Sequence, residues 1–384
     1  MSRSLAPTAL MLGNFVTGTS VLAPAGMLPE LSAALGVSIR EAGLLITFGA
    51  VVLCLGSPLM AWLTSRLPRR SLLGGTLAVL ALGNLASALV PSYAVLLAIR
   101  LSMLAVGALY TPQAAGAAGL IAEPEKRGGT MTYVFLGWSL AVACGLPLVT
   151  FIASRYGWRA AYAGVGLIGT LSCVLLVWRL PGGLIGAPVN LKTWADVGRS
   201  RLILLLLLVT TLQTCGQFVV FTYFGPLLAR LTAAGADAIS LVFALYGIGG
   251  FVGNVIASRI VDLWGAYRTS LLAIAVLLTG ASVWAFGAGS FMLMATGVGI
   301  WGMGFTSTNS MQQVRLVGAA PLLAPATISL NTSVIYIGQA VGSAIGGTLF
   351  AGSLLQEAGY VSVGFIALSL CSALITGRIA APKS

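Results

Sequence analysis

Histidine is absent from this 384-residue chain, and only eight residues are acidic against twenty basic ones. Without imidazole the chain lacks the commonest metal ligand and the usual proton carrier near neutral pH. Its five cysteines, Cys54, Cys144, Cys173, Cys215 and Cys371, form no close pair and no metal-ligand spacing. They read as apolar filler, and neither a metal nor a cofactor is expected. No nucleophile–base constellation and no phosphate-cradling loop is present, so an enzyme is not expected. Charged residues make up 7 %, where a soluble domain carries roughly 25 %. A cleavable leader is not expected either: Arg3 alone precedes the first apolar run, which is as long as a membrane span and lacks a cleavage site.

What the chain has is apolar surface. Hydrophobic residues make up 58 % and the mean hydropathy is +1.01, more than a water-soluble fold can hide. The expected solvent is lipid, and a crossing needs about 20 largely apolar residues. Twelve such runs can be drawn: Leu5–Leu28, Glu41–Leu63, Ser71–Leu89, Tyr93–Ala118, Thr130–Ile152, Ala160–Trp178, Leu202–Leu228, Ile239–Ile260, Thr269–Phe286, Phe291–Met311, Thr327–Phe350 and Val361–Ile379. Backbone in hydrocarbon must satisfy its own hydrogen bonds, so the runs are expected to be helices. The short alternating segments of a β-barrel are missing. The fold class expected is an all-α membrane protein of twelve transmembrane helices.

The basic residues orient it. With the N-terminus placed in the cytoplasm, 15 Lys and Arg fall inside and four (Arg40, Arg155, Arg159, Arg230) outside, with Arg100 left within a span. That bias puts both termini in the cytoplasm. It also explains the net charge of +12 without nucleic acid, which is not expected as a partner. The long connection Arg179–Arg201, with Pro181, Gly182, Gly183 and Pro188, reads as a cytoplasmic linker.

A repeat underlies the pattern. Pro29, Gly56, Gly107 and Gly145 recur as Pro226, Gly253, Gly304 and Gly342, each 197 residues on. The chain is therefore expected to divide into a six-helix bundle over 1–180, a linker over 181–201 and a second, pseudo-symmetric bundle over 202–384. Two similar halves rocking around a central site is a transporter design.

Several segments carry a family resemblance: Phe15-Val16-Thr17-Gly18-Thr19 with Gly26 to Glu30, the stretch Gly56 to Arg70, Arg100 with Gly107, Gly137 with Gly145 and Pro147, Gly157-Trp158-Arg159, and Asn331 to Gly347. Together, and in this order, they resemble the major facilitator superfamily. They are most similar to its 12-span drug:proton antiporter group, which includes sugar, purine and chloramphenicol exporters of bacterial inner membranes. The resemblance implies the two-bundle fold, a monomer in the bilayer, and a central cavity lined by spans one, four, seven and ten.

Candidate residues follow. Span one offers Asn14 and Thr17; span four, Arg100 and Tyr110; span seven, Gln213, Gln217 and Phe221, with Tyr223 nearby; span ten, Trp301, Phe305, Thr308 and Gln312. Spans five, eight and eleven add Trp138, Tyr246, Asn331, Tyr336 and Gln339. Amides, hydroxyls and rings suit a neutral or weakly charged amphipathic solute. Arg100, the one charge well inside a span, needs a cavity, acceptors or backbone carbonyls to offset its cost. The resemblance gives it a transport role, in binding or in coupling. Arg66, Arg69, Arg70 and Asp262 are candidate gate residues on the cytoplasmic side; Ser65 and Pro68 stand where the family has Asp and Gly. Gly107, Gly145 and Pro147 are candidate conformational residues: Gly107 lets a neighbouring helix approach closely, Pro147 bends its helix, and Gly145 with Gly137 removes side-chain bulk where the halves meet.

All eight acidic residues fall in loops or at span ends. Related exporters often place an acid in the first helix, and the matching position here is Val21. This argues against organic cations as cargo and leaves proton antiport to Arg100 or to a rim acid such as Glu30. The preferred reading is an exporter of a small neutral or anionic solute (drug, sugar, nucleoside or metabolite). An uncoupled facilitator or importer is the alternative, and a non-transporting receptor a third.

Overall fold

A computed structural model describes residues 5–64, 66–123, 127–185, 198–320 and 324–380. Within them every regular element is helical: α1 Ala6–Leu22, α2 Leu28–Leu35, α3 Ile39–Leu63, α4 Arg69–Ser87, α5 Tyr93–Gly107, α6 Tyr110–Ile121, α7 Arg127–Leu140, α8 Leu146–Tyr156, α9 Trp158–Arg179, α10 Arg201–Phe221, α11 Phe224–Thr232, α12 Ala236–Phe286, α13 Phe291–Ala319, α14 Ala324–Ala351 and α15 Leu355–Ala380. α12 is two legs joined at Gly265, whose φ of 75° and ψ of 159° suit glycine alone.

Nine helical stretches among the described residues are long and apolar enough to cross a membrane. Three of the twelve expected spans fall short for visible reasons. α1 is 17 residues long because a 3-10 turn, Ala23–Gly26, interrupts it. α4 starts on Arg69 and Arg70. α13 is 29 residues long but carries the polar run Thr306-Ser307-Thr308-Asn309-Ser310.

The packing places polar groups inside and apolar groups outside. Arg100 is 0 % exposed, as are Gln213, Thr210 and Asn84, whereas Leu171 is 70 % and Trp178 71 % exposed. This is the arrangement expected when the surrounding solvent is hydrocarbon. Buried hydroxyls bond back along their own helices, as from Thr17 to the Gly13 carbonyl (2.8 Å) and from Thr76 to that of Leu72 (2.9 Å).

Glycine sets the close approaches, as small residues do where helices meet in lipid. Gly338, Gly342 and Gly346 form one stripe of α14, and each lies on the α10 backbone, at Thr211, Cys215 and Val219. Gly107 packs on Leu80, and Gly304 on Leu277. Both members of the second pair lie 197 residues beyond those of the first. Likewise α1 and α10 each break before a short helix that has proline in its first turn, Pro29 in α2 and Pro226 in α11.

One end of the bundle, the basic face, holds residues 66–70; the other holds the breaks before α2 and α11. Contacts between the two sequence repeats gather at the opposite face. There the 3-10 turn and α2 touch α11, and Arg155 pairs with Asp237 at 3.4 Å. Below it Thr47 of α3 donates to Ser343 of α14 (2.8 Å). Among the described residues α1 does not pack along α10, nor α6 along α13.

Candidate functional site

The first cluster is built on α1, α6 and α7. Trp138 donates its indole N–H to the Thr111 hydroxyl (2.9 Å), Thr111 donates to Asn14 Oδ1 (2.8 Å), and Asn14 donates to the Val134 carbonyl (2.9 Å). Gly137 lets α7 lie directly on the α1 backbone at Met11 and Phe15, against the Cβ of Asn14, which brings Asn14 within reach of Val134. Tyr110 lies nearby, its hydroxyl donating to the Leu10 carbonyl (3.3 Å) over Gly13. Asn14 and Trp138 are thus joined through Thr111. Thr17 spends its proton on Gly13.

The second cluster lies on α10, α12, α13 and α14. Gln213 donates to Asn309 Oδ1 (2.7 Å), Thr210 to Asn331 Oδ1 (2.9 Å), and Gln217 to the Tyr246 hydroxyl (2.6 Å). The Phe221 ring lies 5.2 Å from that of Tyr246, which lies 6.3 Å from Phe305. Much capacity stays unused: Oε1 of Gln213 and Gln217, both amide atoms of Gln312, and the amide nitrogens of Asn331 and Gln339 have no partner. Buried polar groups are ordinarily paired, so such a concentration marks a place that gains by engaging further polar groups. Thr308 bonds back to Gly304 (2.7 Å), and Tyr336 is buried.

Two candidates lie apart from both clusters. Arg100 donates to the Ser20 carbonyl (2.6 Å) and sits 5.3 Å from the Tyr162 ring centroid. Ser20 in turn accepts from Asn84 at 2.9 Å. The guanidinium joins α1, α5 and α9, while its Nε and Nη1 remain unpaired. Trp301 packs edge-on to Trp284 of the second leg of α12, with centroids 6.4 Å apart.

The conformational candidates divide. Pro147, which cannot donate to the helix ladder, follows a π-helical turn at Ala141–Gly145. That turn sets the Ala143 backbone directly against Gly247 of α12. Gly145 and Gly137 were expected where the halves meet; both instead pack on α1, Gly145 at Thr19. Arg66 is exposed, Arg70 half-buried, and Arg69 buried, with its backbone N–H on the Leu184 carbonyl (2.8 Å). The Asp262 side chain lies outside the described residues, as does Ser65.

Glu30 sits in the first turn of α2, and burial raises its carboxyl above the ordinary value of 4.5. Glu41, Asp237 and Glu357 also occupy first turns, where the helix dipole favours an acid. Among the described residues no cluster of three His, Cys, Asp or Glu could hold a metal ion.

Sequence reasoning passed over Thr111, Thr210 and Asn309 as contact residues. Asn309 was signalled by the polar run in α13, whereas helical spacing put Thr111 only on the face of Arg100 and Gly107 and gave no sign of Asn14 or Trp138 as its partners.

A family model described as the Major Facilitator Superfamily matches residues 10–343. The chain belongs to this superfamily. It is 31 % identical over 352 residues to the inner membrane transport protein YdhP of Escherichia coli K12, covering 90 % of this chain and 89 % of that one. It is 26 % identical over 353 residues to a probable sugar efflux transporter of Mannheimia succiniciproducens, covering 92 % and 87 %. Among solved structures, a bacterial homologue of the human lysosomal transporter Spinster and a D-xylose–proton symporter each superpose with a TM-score of 0.75 at 15 % identity, each over 98 % of this chain and 97 % of the other. Those two likenesses speak to the fold alone. As a superfamily member the chain is a multi-pass membrane transporter of solutes and not an enzyme.

Proposed function

We propose that this chain is an exporter of the bacterial inner membrane, moving a small neutral or anionic amphipathic solute by alternating access. In this reading twelve helices form two six-helix halves, 1–180 and 202–384, joined by the linker 181–201. The chain works as a monomer, and the basic face lies in the cytoplasm. The observation that carries the proposal is the pair of amide, hydroxyl and ring clusters, one from each sequence repeat, together with cross-repeat contacts gathered at the face away from the basic loops. Such side chains hydrogen-bond and stack on hydroxylated or amide-bearing solutes without neutralising a charge. The relative named a probable sugar efflux transporter fits that chemistry, and the drug:proton antiporter group remains the subfamily that the sequence resembles most.

A screen of the detergent-purified protein for ligand-induced thermal stabilisation tests the reading, since a ligand that prefers the folded state raises its apparent stability. Neutral sugars, nucleosides and amphenicol-type compounds are expected to give the shifts, and Arg100→Ala to weaken them. Hits dominated by permanent cations overturn it.

One observation favours uncoupled transport as a second reading: the described acidic residues lie in a loop, in first turns or, at Asp262, beside the Gly265 joint of α12, not at mid-span where proton carriers usually sit. A pH jump across proteoliposomes decides between the two. Antiport makes solute flux follow the proton gradient, with Glu30 or Arg100 as the coupling group; uncoupled transport leaves flux unchanged.

A further inference from the structure

Tyr223 occupies the break between α10 and α11 and is 1 % exposed. Its ring stacks on Phe350 of α14, with centroids 5.7 Å apart and planes at 18°. Its hydroxyl reaches out of the second repeat and lies over Gly43 of α3, in the first. The same hydroxyl lies over Gly347 of α14, so two glycines from opposite repeats form the two walls of one slot. A Cβ on either would overlap the phenol oxygen. On the same α14 face, one turn before Gly347, Ser343 accepts from Thr47 of α3 at 2.8 Å. At the rim, Arg230 covers the Phe350 ring, its guanidinium carbon 4.7 Å from the centroid.

We propose that Tyr223 is a latch: its hydroxyl, seated in the Gly43–Gly347 slot, holds α3, α10 and α14 together and keeps the face opposite the basic loops closed. The inference rests on alternating access. It adds the residue that sets the balance between the two states. Phenol and slot are matched in size, so either removing the oxygen or filling the slot loosens the closure. Neither change touches the amide clusters.

Double electron–electron resonance in nanodiscs tests this without a solute. Ala34→Cys and Gln356→Cys, both exposed at the latched face on opposite repeats, carry the spin labels in a background with the five native cysteines replaced. Wild type is expected to show a dominant short distance and a minor long one. Tyr223→Phe keeps the ring stack and removes the oxygen from the slot, and it should raise the ratio of long to short distances about fivefold, a shift of about 1 kcal/mol. Gly43→Ala should raise it at least as much. Gly75→Ala, where a Cβ meets nothing within 4 Å, should leave it unchanged and shows that the background tolerates a new methyl group. Two populations in wild type that neither Tyr223→Phe nor Gly43→Ala moves would overturn the latch while leaving alternating access standing. A single unchanging distance in every variant would overturn both.

Discussion

At the scale of single residues, hydrogen-bond accounting says more than residue type. Thr111 serves as acceptor for Trp138 and donor to Asn14 at once. Thr111→Val keeps the shape, removes both bonds and leaves the buried Asn14 amide oxygen and the half-buried Trp138 N–H alone, at a cost of about 1–3 kcal/mol. A lowered thermal midpoint and weakened solute binding are expected in the same variant. Thr17→Val removes a bond within α1 only, so it should leave binding alone. Glu30 offers a pH handle. Its carboxyl is raised from 4.5 by burial, so the folded state holds the proton more tightly than the unfolded state does. Stability is therefore greatest in acid and declines as pH rises from about 4.5 through the raised value. Glu30→Gln should flatten that slope, as measured by thermal unfolding between pH 4 and pH 8. If Glu30 also couples transport, the dependence of flux on pH flattens with it.

At the scale of elements, glycines decide which helices meet. The stripe Gly338, Gly342, Gly346 sets α14 on the α10 backbone. Gly342→Ala puts a methyl group into the Cys215 carbonyl and forces two backbones apart, a change of the kind that costs about 1–3 kcal/mol. A fall in the thermal midpoint relative to Gly364→Ala, which meets open space, checks it. The elements also show what the sequence could and could not reveal. Apolar runs and glycine repeats mark helices and their register because lipid imposes one rule on every span. The turn of α1 into α2 is different: the run Leu5–Leu28 carries no charge and is long enough for one span, and only Pro24, Gly26 and Pro29 hint that helix geometry stops at Leu22. Trp301 and Phe305 lie one helical turn apart on α13, yet one packs on Trp284 and the other near Tyr246. Periodicity gives a face to within a turn, whereas the neighbouring helix that fills that face is a long-range fact. Arg100 was legible as an exception among apolar residues, but its acceptor, the Ser20 carbonyl, is a backbone atom that no motif encodes.

At the scale of the whole molecule, two sequence repeats share packing pairs such as Gly107–Leu80 and Gly304–Leu277 yet differ in their polar chemistry. The Trp138–Thr111–Asn14 cluster of the first repeat closes into a relay; the cluster of the second leaves amide atoms of Gln213, Gln312 and Asn331 open. Solute selectivity should therefore follow substitutions in the second repeat more than in the first. Orientation is a molecule-wide property set by charge. Single cysteines at Arg66 and Ala34, both exposed, should react with a membrane-impermeant maleimide from opposite sides, Ala34→Cys in intact cells and Arg66→Cys only in inverted vesicles. The reverse pattern would turn the proposed topology over.

The outward-facing rings at the two ends of one helical hairpin have a last consequence. Tyr156, 74 % exposed, closes α8, and Trp178, 71 % exposed, lies near the far end of α9. The 22 residues of α9 span about 33 Å at the rise of an α-helix. Rings anchored at both interfaces act as a ruler for the bilayer. Reconstitution into a series of lipids of rising acyl length should give a turnover maximum where hydrocarbon thickness meets that ruler, with losses on either side as the helices tilt or the membrane deforms.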